Sequence, residues 1–358
     1  MAVAEEIPAG LKAPFDRLRR ARQAHALLAI LLLLASLASL TVGATDVTLW
    51  QVAAKMARGE APSHLERVVL FDVRLPRLAL GIAVGAALAV SGAVMQGLFR
   101  NPLADPGLVG ISAGAGLGAI SAIVLGGLLP ATLAGLAGTY LVPLAAVLSS
   151  WCVTLLLYRV STRRGQTSVA TMLLAGIALG ALSGALSGLL IYRADDQQLR
   201  DLTFWSLGSL GGASWTKVAA AIPLISAALA LSFCLGRGLN ALALGEATAA
   251  HIGIPVQRLK ACAILAAAGA TGAAVAVSGG IGFVGIVVPH LLRLATGPDH
   301  RMLLPNAALL GATLLVLADM ASRTVISPAE LPIGIVTAIV GAPVFLWILL
   351  RRRGLVDL

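Results

Sequence analysis

Few residues in this chain have the types and spacing for covalent chemistry, and their surroundings argue against it. GISAG (110–114) matches G-x-S-x-G, a pattern that needs a strand before the serine and a helix after it. Here it sits inside a Gly-rich apolar run with no preceding strand, so catalysis is not expected. HExxH and CxxC are absent, and no span holds a close pair of carboxylates. The five His are scattered, without a spaced pair to ligate a metal or a haem. Cys152, Cys234 and Cys262 are odd in number and lie in apolar runs, so they read as packing residues. No GxxxxGK[ST] phosphate loop is present, so any ATP chemistry belongs to a separate subunit.

What remains is polar clusters between apolar runs. In RNPLADPG (100–107), Pro102 and Pro106 cannot continue a helix and force a tight turn. In VVPHLLR (287–293), His290 and Arg293 can hydrogen-bond a helix end freed by Pro289, with a proton relay as the alternative. Asp72, Arg74 and Arg77 in DVRLPR form a third cluster with Asp319 and Arg323. These arginines either anchor to headgroups or meet an acidic partner. The segment Arg237 to Lys260, RGLNALALGEATAAHIGIPVQRLK, is too polar to cross a bilayer. Leu239, Leu242, Leu244 and Ile252 can form short amphipathic helices there, a surface suited to a partner.

The elements that must position these clusters are membrane spans. Hydrophobic residues make up 58% of the 358 positions, charged residues 12%, and mean hydropathy is +0.93. That charged share is about half the usual value for a soluble domain. Apolar runs long enough to span hydrocarbon recur at about 24–45, 76–99, 107–128, 137–158, 168–191, 216–236, 259–279, 281–297, 302–322 and 331–350. The third and eighth are the weakest, being broken by Gly or Pro. The expected organisation is a tail at 1–23, one ten-helix domain at 24–350 and a tail at 351–358, both tails cytoplasmic. Arg17 to Arg22 before a Leu-rich run has the shape of a signal peptide, but the run is too long and reads as a retained first span.

Charge orients the bundle. With both termini inside, inner segments hold 17 Lys or Arg and seven acids, and outer segments nine and nine. The whole net charge of +10 therefore lies inside, as the positive-inside rule expects. It is a topology signal and a poor argument for nucleic-acid binding.

Small residues suggest how the spans pack. Gly110, Gly114 and Gly118, and Gly176, Gly180, Gly184 and Gly188, recur every fourth position. Such rows let helices approach closely within one subunit, or line a conduit or a subunit interface. ALAVSG (87–92) and AVAVSGG (274–280) fall in oppositely directed spans, the pattern of an inverted-topology repeat.

Five long segments together resemble the FecCD family of permease subunits. They are VGAALAVSGAVMQGLFRNPLADPGLVGISAGAGLGA (84–119), LALGEATAAHIGI (242–254), GFVGIVVPHLLRLATG (282–297), LLPNAALLGATLLVLADMASR (303–323) and AELPIGIVTAIVGAPVFLWILL (329–350). The resemblance covers nearly everything from residue 72 onward. It implies an all-α polytopic fold with ten spans per subunit and an inverted repeat, that of type II ATP-binding cassette (ABC) importers. It also implies a homodimer around one path in the bacterial inner membrane. Two ATPase subunits would bind ATP and Mg inside, and a periplasmic binding protein would deliver ligand outside. No cofactor or metal is implied for this chain itself.

Site residues follow by motif. The family's coupling helices match 239–254, with Leu242, Gly245, Glu246, Ala247 and Gly253 as the ATPase contact. The cytoplasmic gate matches Asn101, Leu103, Thr167 and Ser168. Arg74, Arg77 and Arg323 match arginines that meet acids of the binding protein. LRDLTFWSLGSLGGASW (199–215) looks most like the haem-import branch, so haem is the expected cargo, with ferric siderophore and cobalamin as alternatives. Arg193 or Arg200 could pair the haem propionates at the mouth, or be ordinary interfacial charges. An ion-coupled transporter is the remote alternative, and it would need paired acids at mid-membrane.

Overall fold

The computed structural model describes residues 14–43, 45, 47–130, 138–163, 166–327 and 329–352. The expected tails fall largely outside the described residues, at 1–13 and 353–358. The rest of the expected N-terminal tail is helical, because α1 (Pro14–Thr41) already begins at Pro14. The chain continues through α2 (Leu49–Ala57) and a short helical turn His64–Arg67. A π-helical segment Val68–Arg74 then leads into α3 (Leu75–Phe99).

Next come α4 (Ile111–Leu125), α5 (Leu141–Ser161), a hairpin of β1 (Thr162–Arg163) and β2 (Gln166–Thr167), and α6 (Val169–Tyr192). The hairpin pairs antiparallel, with Thr162 opposite Thr167 and Arg163 opposite Gln166. After it follow α7 (Asp196–Ser206), α8 (Trp215–Cys234), α9 (Gly236–Ala243) and α10 (Glu246–His251). The last four are α11 (Val256–Ser278), α12 (Val284–Thr296), α13 (His300–Ser322) and α14 (Ile333–Arg352).

Every one of the ten expected spans is occupied by an apolar helix. Among the described residues, eight helices are long and apolar enough to cross a membrane. The other two positions hold shorter apolar stretches, Val284–Thr296 and Ile333–Trp347. A 13-residue helix such as α12 reaches only about 20 Å, short of a hydrocarbon core about 30 Å thick. Gly279 and Phe283, both at positive φ, break the chain just before α12. The second span is longer than expected, because helical backbone runs from His64 to Phe99.

α3, α11 and α13 form the centre. α1 lies along α13, α8 along α11, α12 against α3, and α4, α5 and α6 pack as a group beside α11. Outward-facing Leu27, Ile30, Leu33, Leu34, Leu174, Ile177, Leu189, Ile339 and Val340 are exposed, as helices solvated by lipid require. The two AVSG segments lie on α3 and α11, which touch through Ser91 Oγ and the Ala267 carbonyl at 3.4 Å. The two helices run antiparallel. The Arg77 end of α3 meets the far end of α13, while the Lys260 end of α11 meets α10.

Glycine pairs set the closest approaches. A Cβ on Gly85 would collide with the backbone of Gly311, and one on Gly92 with the carbonyl of Gly285. Gly114 and Gly118 of α4 pack on Val153, Ser149 and Ala145 of α5, so this row serves packing within the chain. A Cβ on Gly184 or Gly188 of α6 would meet nothing within 4 Å, whereas Gly180 is half-buried with its amide nitrogen 3.7 Å from where a Cβ on Gly110 would sit. Only Gly176 in that row is buried.

These contrasts yield a test. Gly92→Val drives a branched side chain into backbone that cannot step aside, at a cost of about 3 kcal/mol or more. We expect loss of the monodisperse peak in detergent chromatography. Gly184→Val should elute like the parent protein, and equal behaviour of the two variants would refute the packing assignment.

Candidate functional site

The inner end of the bundle gathers the expected coupling and gating residues. α9 buries Leu239 and Leu242 in the core, while Leu244 and Ile252 stand 70% and 60% exposed. The amphipathic segment thus splits into an inward and an outward apolar pair. Leu242 corrects the expectation of a partner contact, because packing under α9 leaves its side chain no outer surface. Gly245 at φ 107°, ψ 151° and Gly253 at φ 89° bound α10. Only glycine takes the first conformation without strain. Ala247, Thr248, Ala250 and His251 of α10 are exposed, with Glu246 half-buried at its start.

α10 is joined to the hairpin from below. Lys260 Nζ, on a side chain 1% exposed, donates to Glu246 Oε2 at 2.8 Å and to the Thr167 carbonyl at 2.7 Å. Gln257 Oε1 accepts from the Thr167 amide at 2.9 Å, and the Thr162 and Thr167 hydroxyls lie 2.9 Å apart. Ser168 then N-caps α6, accepting from the Thr171 amide at 3.3 Å. Thr167, Ser168, Glu246 and Ala247 line one open cavity of about 480 Å³, with Arg163, Gln166 and Gln257. The structure therefore brings half of the expected gate together with the coupling helix.

Asn101 and Leu103 do not line that cavity. They form the turn after α3, where Arg100 adopts a left-handed cap and Asn101 Oδ1 accepts from the Leu103 amide at 3.0 Å. Asp105 Oδ1 accepts from the Gly107 amide at 2.7 Å. Burial pushes the Asp105 carboxyl above its ordinary range, and that hydrogen bond opposes the shift. Gln96 ties this end of α3 to α12, donating to the Gly285 carbonyl at 3.2 Å and accepting from Arg293 Nη1. Arg293 is thus engaged inside the bundle and does not simply reach for the interface.

Of the expected outer cluster, Arg77, Arg323 and Asp319 come together and face inward, while Asp72 stays exposed and Arg74 turns to main-chain carbonyls. Arg77 Nε donates to Asp319 Oδ1 at 2.8 Å, and its Nη1 donates to Glu330 Oε1 at 2.8 Å and Oε2 at 3.0 Å. Arg323 Nη2 donates to the carbonyl and hydroxyl of Ser39, both at 2.7 Å, and Nε lies 3.6 Å from Asp319 Oδ2. Arg74 Nη1 donates to the Leu40 and Val47 carbonyls at 2.7 and 2.6 Å. Arg74, Arg77 and Arg323 are 4%, 5% and 6% exposed. They do not present the surface charge expected of a docking face. Asp319 is the buried carboxylate between Arg77 and Arg323, Glu330 meets Arg77 from the exposed side, and Arg74 is held by main-chain carbonyls, so each buried charge has acceptors or a counter-charge.

Beside this cluster, α7 lies at the outer end as a short helix with a capping box between Asp195 and Gln198. It exposes Phe204, and Arg193 and Arg200 are also exposed. Its C-terminal turn rests on the centre, with the Ser209 amide donating to the Ser278 carbonyl at 2.8 Å.

Lys260, Gln257, Glu330 and Ser39 did not stand out in the sequence. Lys260 reads there as one more inner charge. The usable signal is that it is the fifth residue of an apolar helix, where a buried ammonium demands acceptors.

The described residues form a bundle of apolar helices with a polar clasp near each end. A model of the FecCD transport family matches residues 31–351. The chain is 46% identical over 306 residues to the hemin transport system permease protein HmuU of Yersinia pestis, covering 86% of this chain and 88% of that protein. It is 45% identical over 285 residues to the vitamin B12 import system permease protein BtuC of Escherichia coli, covering 79% and 84%. An inward-facing structure of a metal-chelate type ABC transporter superposes with a TM-score of 0.80 at 32% identity, covering 92% of this chain and 99% of that one. The chain belongs to the FecCD transport family. It is a multi-pass ABC permease subunit, it carries no catalysis of its own, and it implies an ATPase and a binding protein as partners.

The outer clasp can be tested directly. Asp319→Ala leaves Arg77 with only the half-exposed Glu330 and Arg323 with only the uncharged acceptors of Ser39, at a cost of about 3–5 kcal/mol. Thermal unfolding of the purified protein should fall by many degrees, while Asp72→Ala at an exposed position should not move it. An unchanged midpoint for Asp319→Ala would show that the clasp does not hold the fold.

Proposed function

We propose that this chain forms a homodimeric, ten-span permease that imports haem across the bacterial inner membrane, driven by two ATPase subunits. A periplasmic binding protein delivers the ligand to the end that carries α7. The observation that carries the machine is the outward pair Leu244 and Ile252 around Glu246, Ala247 and Gly253. Apolar side chains exposed on the expected cytoplasmic end, on short helices too polar to enter lipid, ask for a protein groove. Glu246 and Ala247 of α10 share a cavity with Thr167 and Ser168, which supports force passing from the ATPase to the gate. The gate itself comprises Asn101, Leu103, Thr167 and Ser168.

The exposed Gly184 and Gly188 support α6 as a wall of the path or of the subunit contact. Small side chains there would let a flat, largely apolar ligand slide without a deep well. Haem is favoured by the α7 region and by the relative of Yersinia pestis, at 46% identity. Cobalamin is the second reading, since the Escherichia coli relative is 45% identical. Docking of the binding protein by Arg74, Arg77 and Arg323 would require those groups to leave their internal acceptors. The outer surface around Glu330 and α7 is the better place for that contact.

Two measurements test this reading. Proteoliposomes with this permease, its own ATPase and its binding protein should take up haem only with ATP. Uptake of cobalamin or a ferric siderophore with haem ignored would overturn the cargo and leave the machine standing. Leu244→Glu should abolish co-purification of the ATPase, because burying a Leu side chain is worth about 1.5–3 kcal/mol. Undiminished co-purification would remove α9 and α10 from the interface.

A further inference from the structure

We propose that Lys260 is a positioning residue that makes α10 and the 162–167 hairpin a single moving body. The inference rests on the importer reading above and names the part that would transmit motion in it. Three observations carry it. First, the ammonium is buried and bridges two elements far apart in sequence, Glu246 at the start of α10 and Thr167 at the end of the hairpin. Second, its acceptor in the hairpin is a main-chain carbonyl, so the bond holds backbone position and not merely a side chain. Third, the neighbouring Gln257 takes the Thr167 amide, so both polar groups of one peptide-flanking residue are held from α11.

Geometry gives the bridge a direction. Ser168 follows Thr167 and caps α6, which with α1 is the least buried of the long spans. A push on α10 therefore has a polar, low-slack connection to the end of a helix that is free to tilt. A purely structural lysine would stabilise the site equally but would not make Glu246 and Lys260 act in series. Hydrogen bonds from charged groups in buried sites are each worth about tenfold or more in an equilibrium.

Lys260→Met, Glu246→Ala and the double variant should be reconstituted with the partner subunits and read as ligand molecules transported per ATP hydrolysed. We expect a fall of about tenfold in each single variant, and a double variant no worse than the worse single, as groups in one connection behave. An unchanged ratio in Lys260→Met, or additive losses, would overturn the proposal. Lower yield alone would not mimic this, because the ratio normalises for the amount of folded complex.

A second readout does not need the ATPase. Spin labels at Arg163→Cys and Thr248→Cys, with the native cysteines replaced, report the hairpin-to-α10 distance in the permease alone. The distribution should be narrow with Lys260 present and broader in Lys260→Met or Lys260→Gln. With the ATPase added, the separation should stay constant between nucleotide-free and ATP-bound states. Labels that part in the otherwise native protein would overturn the rigid unit even if the Lys260 variants fail to accumulate. Failure of the native complex to transport with ATP would instead overturn the importer reading, and the label distances would still judge the bridge.

Discussion

Hydrocarbon cannot hydrogen-bond a peptide group, and the rest of this structure depends on that fact. Each span must satisfy its backbone within itself, so helices are the only economical element. Once apolar side chains gain little by leaving lipid for protein, association has to come from close contact. α3 achieves it where Gly85 meets Gly311 of α13 and Gly92 meets Gly285 at the start of α12. Backbone touches backbone at both places, and α3 becomes almost wholly buried. The two polar ends can then be placed accurately because the centre between them does not yield.

The ends solve the problem of charge in different ways. Outside, Arg77, Arg323, Asp319 and Glu330 neutralise one another, and Arg74 is spent on the carbonyls that end α1. This clasp joins α1, α3, α13 and the approach to α14, adding a polar tie to the α3–α13 pair that Gly85 and Gly311 already bring together. Inside, Lys260 has one charged and one neutral acceptor, and Glu246 remains 40% exposed at its side chain.

Much of this was legible from residue type alone. Apolar run lengths located the eight helices long enough to span and the two shorter apolar ones, and Pro102 with Pro106 marked the turn that the structure builds at 100–110. Charge asymmetry placed Lys260, Arg301 and Arg237 at the same end. Spacing also joined Asp72, Arg74 and Arg77 with Asp319 and Arg323 before any contact was known. What spacing could not supply was the facing of those arginines. A charged residue at a helix end reads as exposed unless its acceptors are known, and Ser39, Leu40 and Glu330 are distant in sequence. The same limit explains Leu242, which is indistinguishable from Leu244 until α9 is seated on its neighbours. The glycine rows looked alike at four-residue spacing, yet one is filled by α5 and the other lies open. Periodicity reports which face is small and not what covers it.

That last difference orders the parts by how freely they can move. Displacing α3 or α11 would open backbone contacts and leave buried polar groups such as Gln96 without their acceptors. Displacing α6 forfeits far less, because most of its surface, including Gly184 and Gly188, meets no other part of the chain. Close-packed cores rearrange between discrete states and do not deform gradually, so motion concentrates where packing is thinnest. The thinnest-packed long helix after α1 is also the one whose first turn is capped by Ser168, beside the Lys260 bridge. A rigid centre, a buried Arg77–Asp319 pair and a lightly held α6 together leave the Ser168 end of α6 as the place where displacement breaks the fewest contacts within the chain.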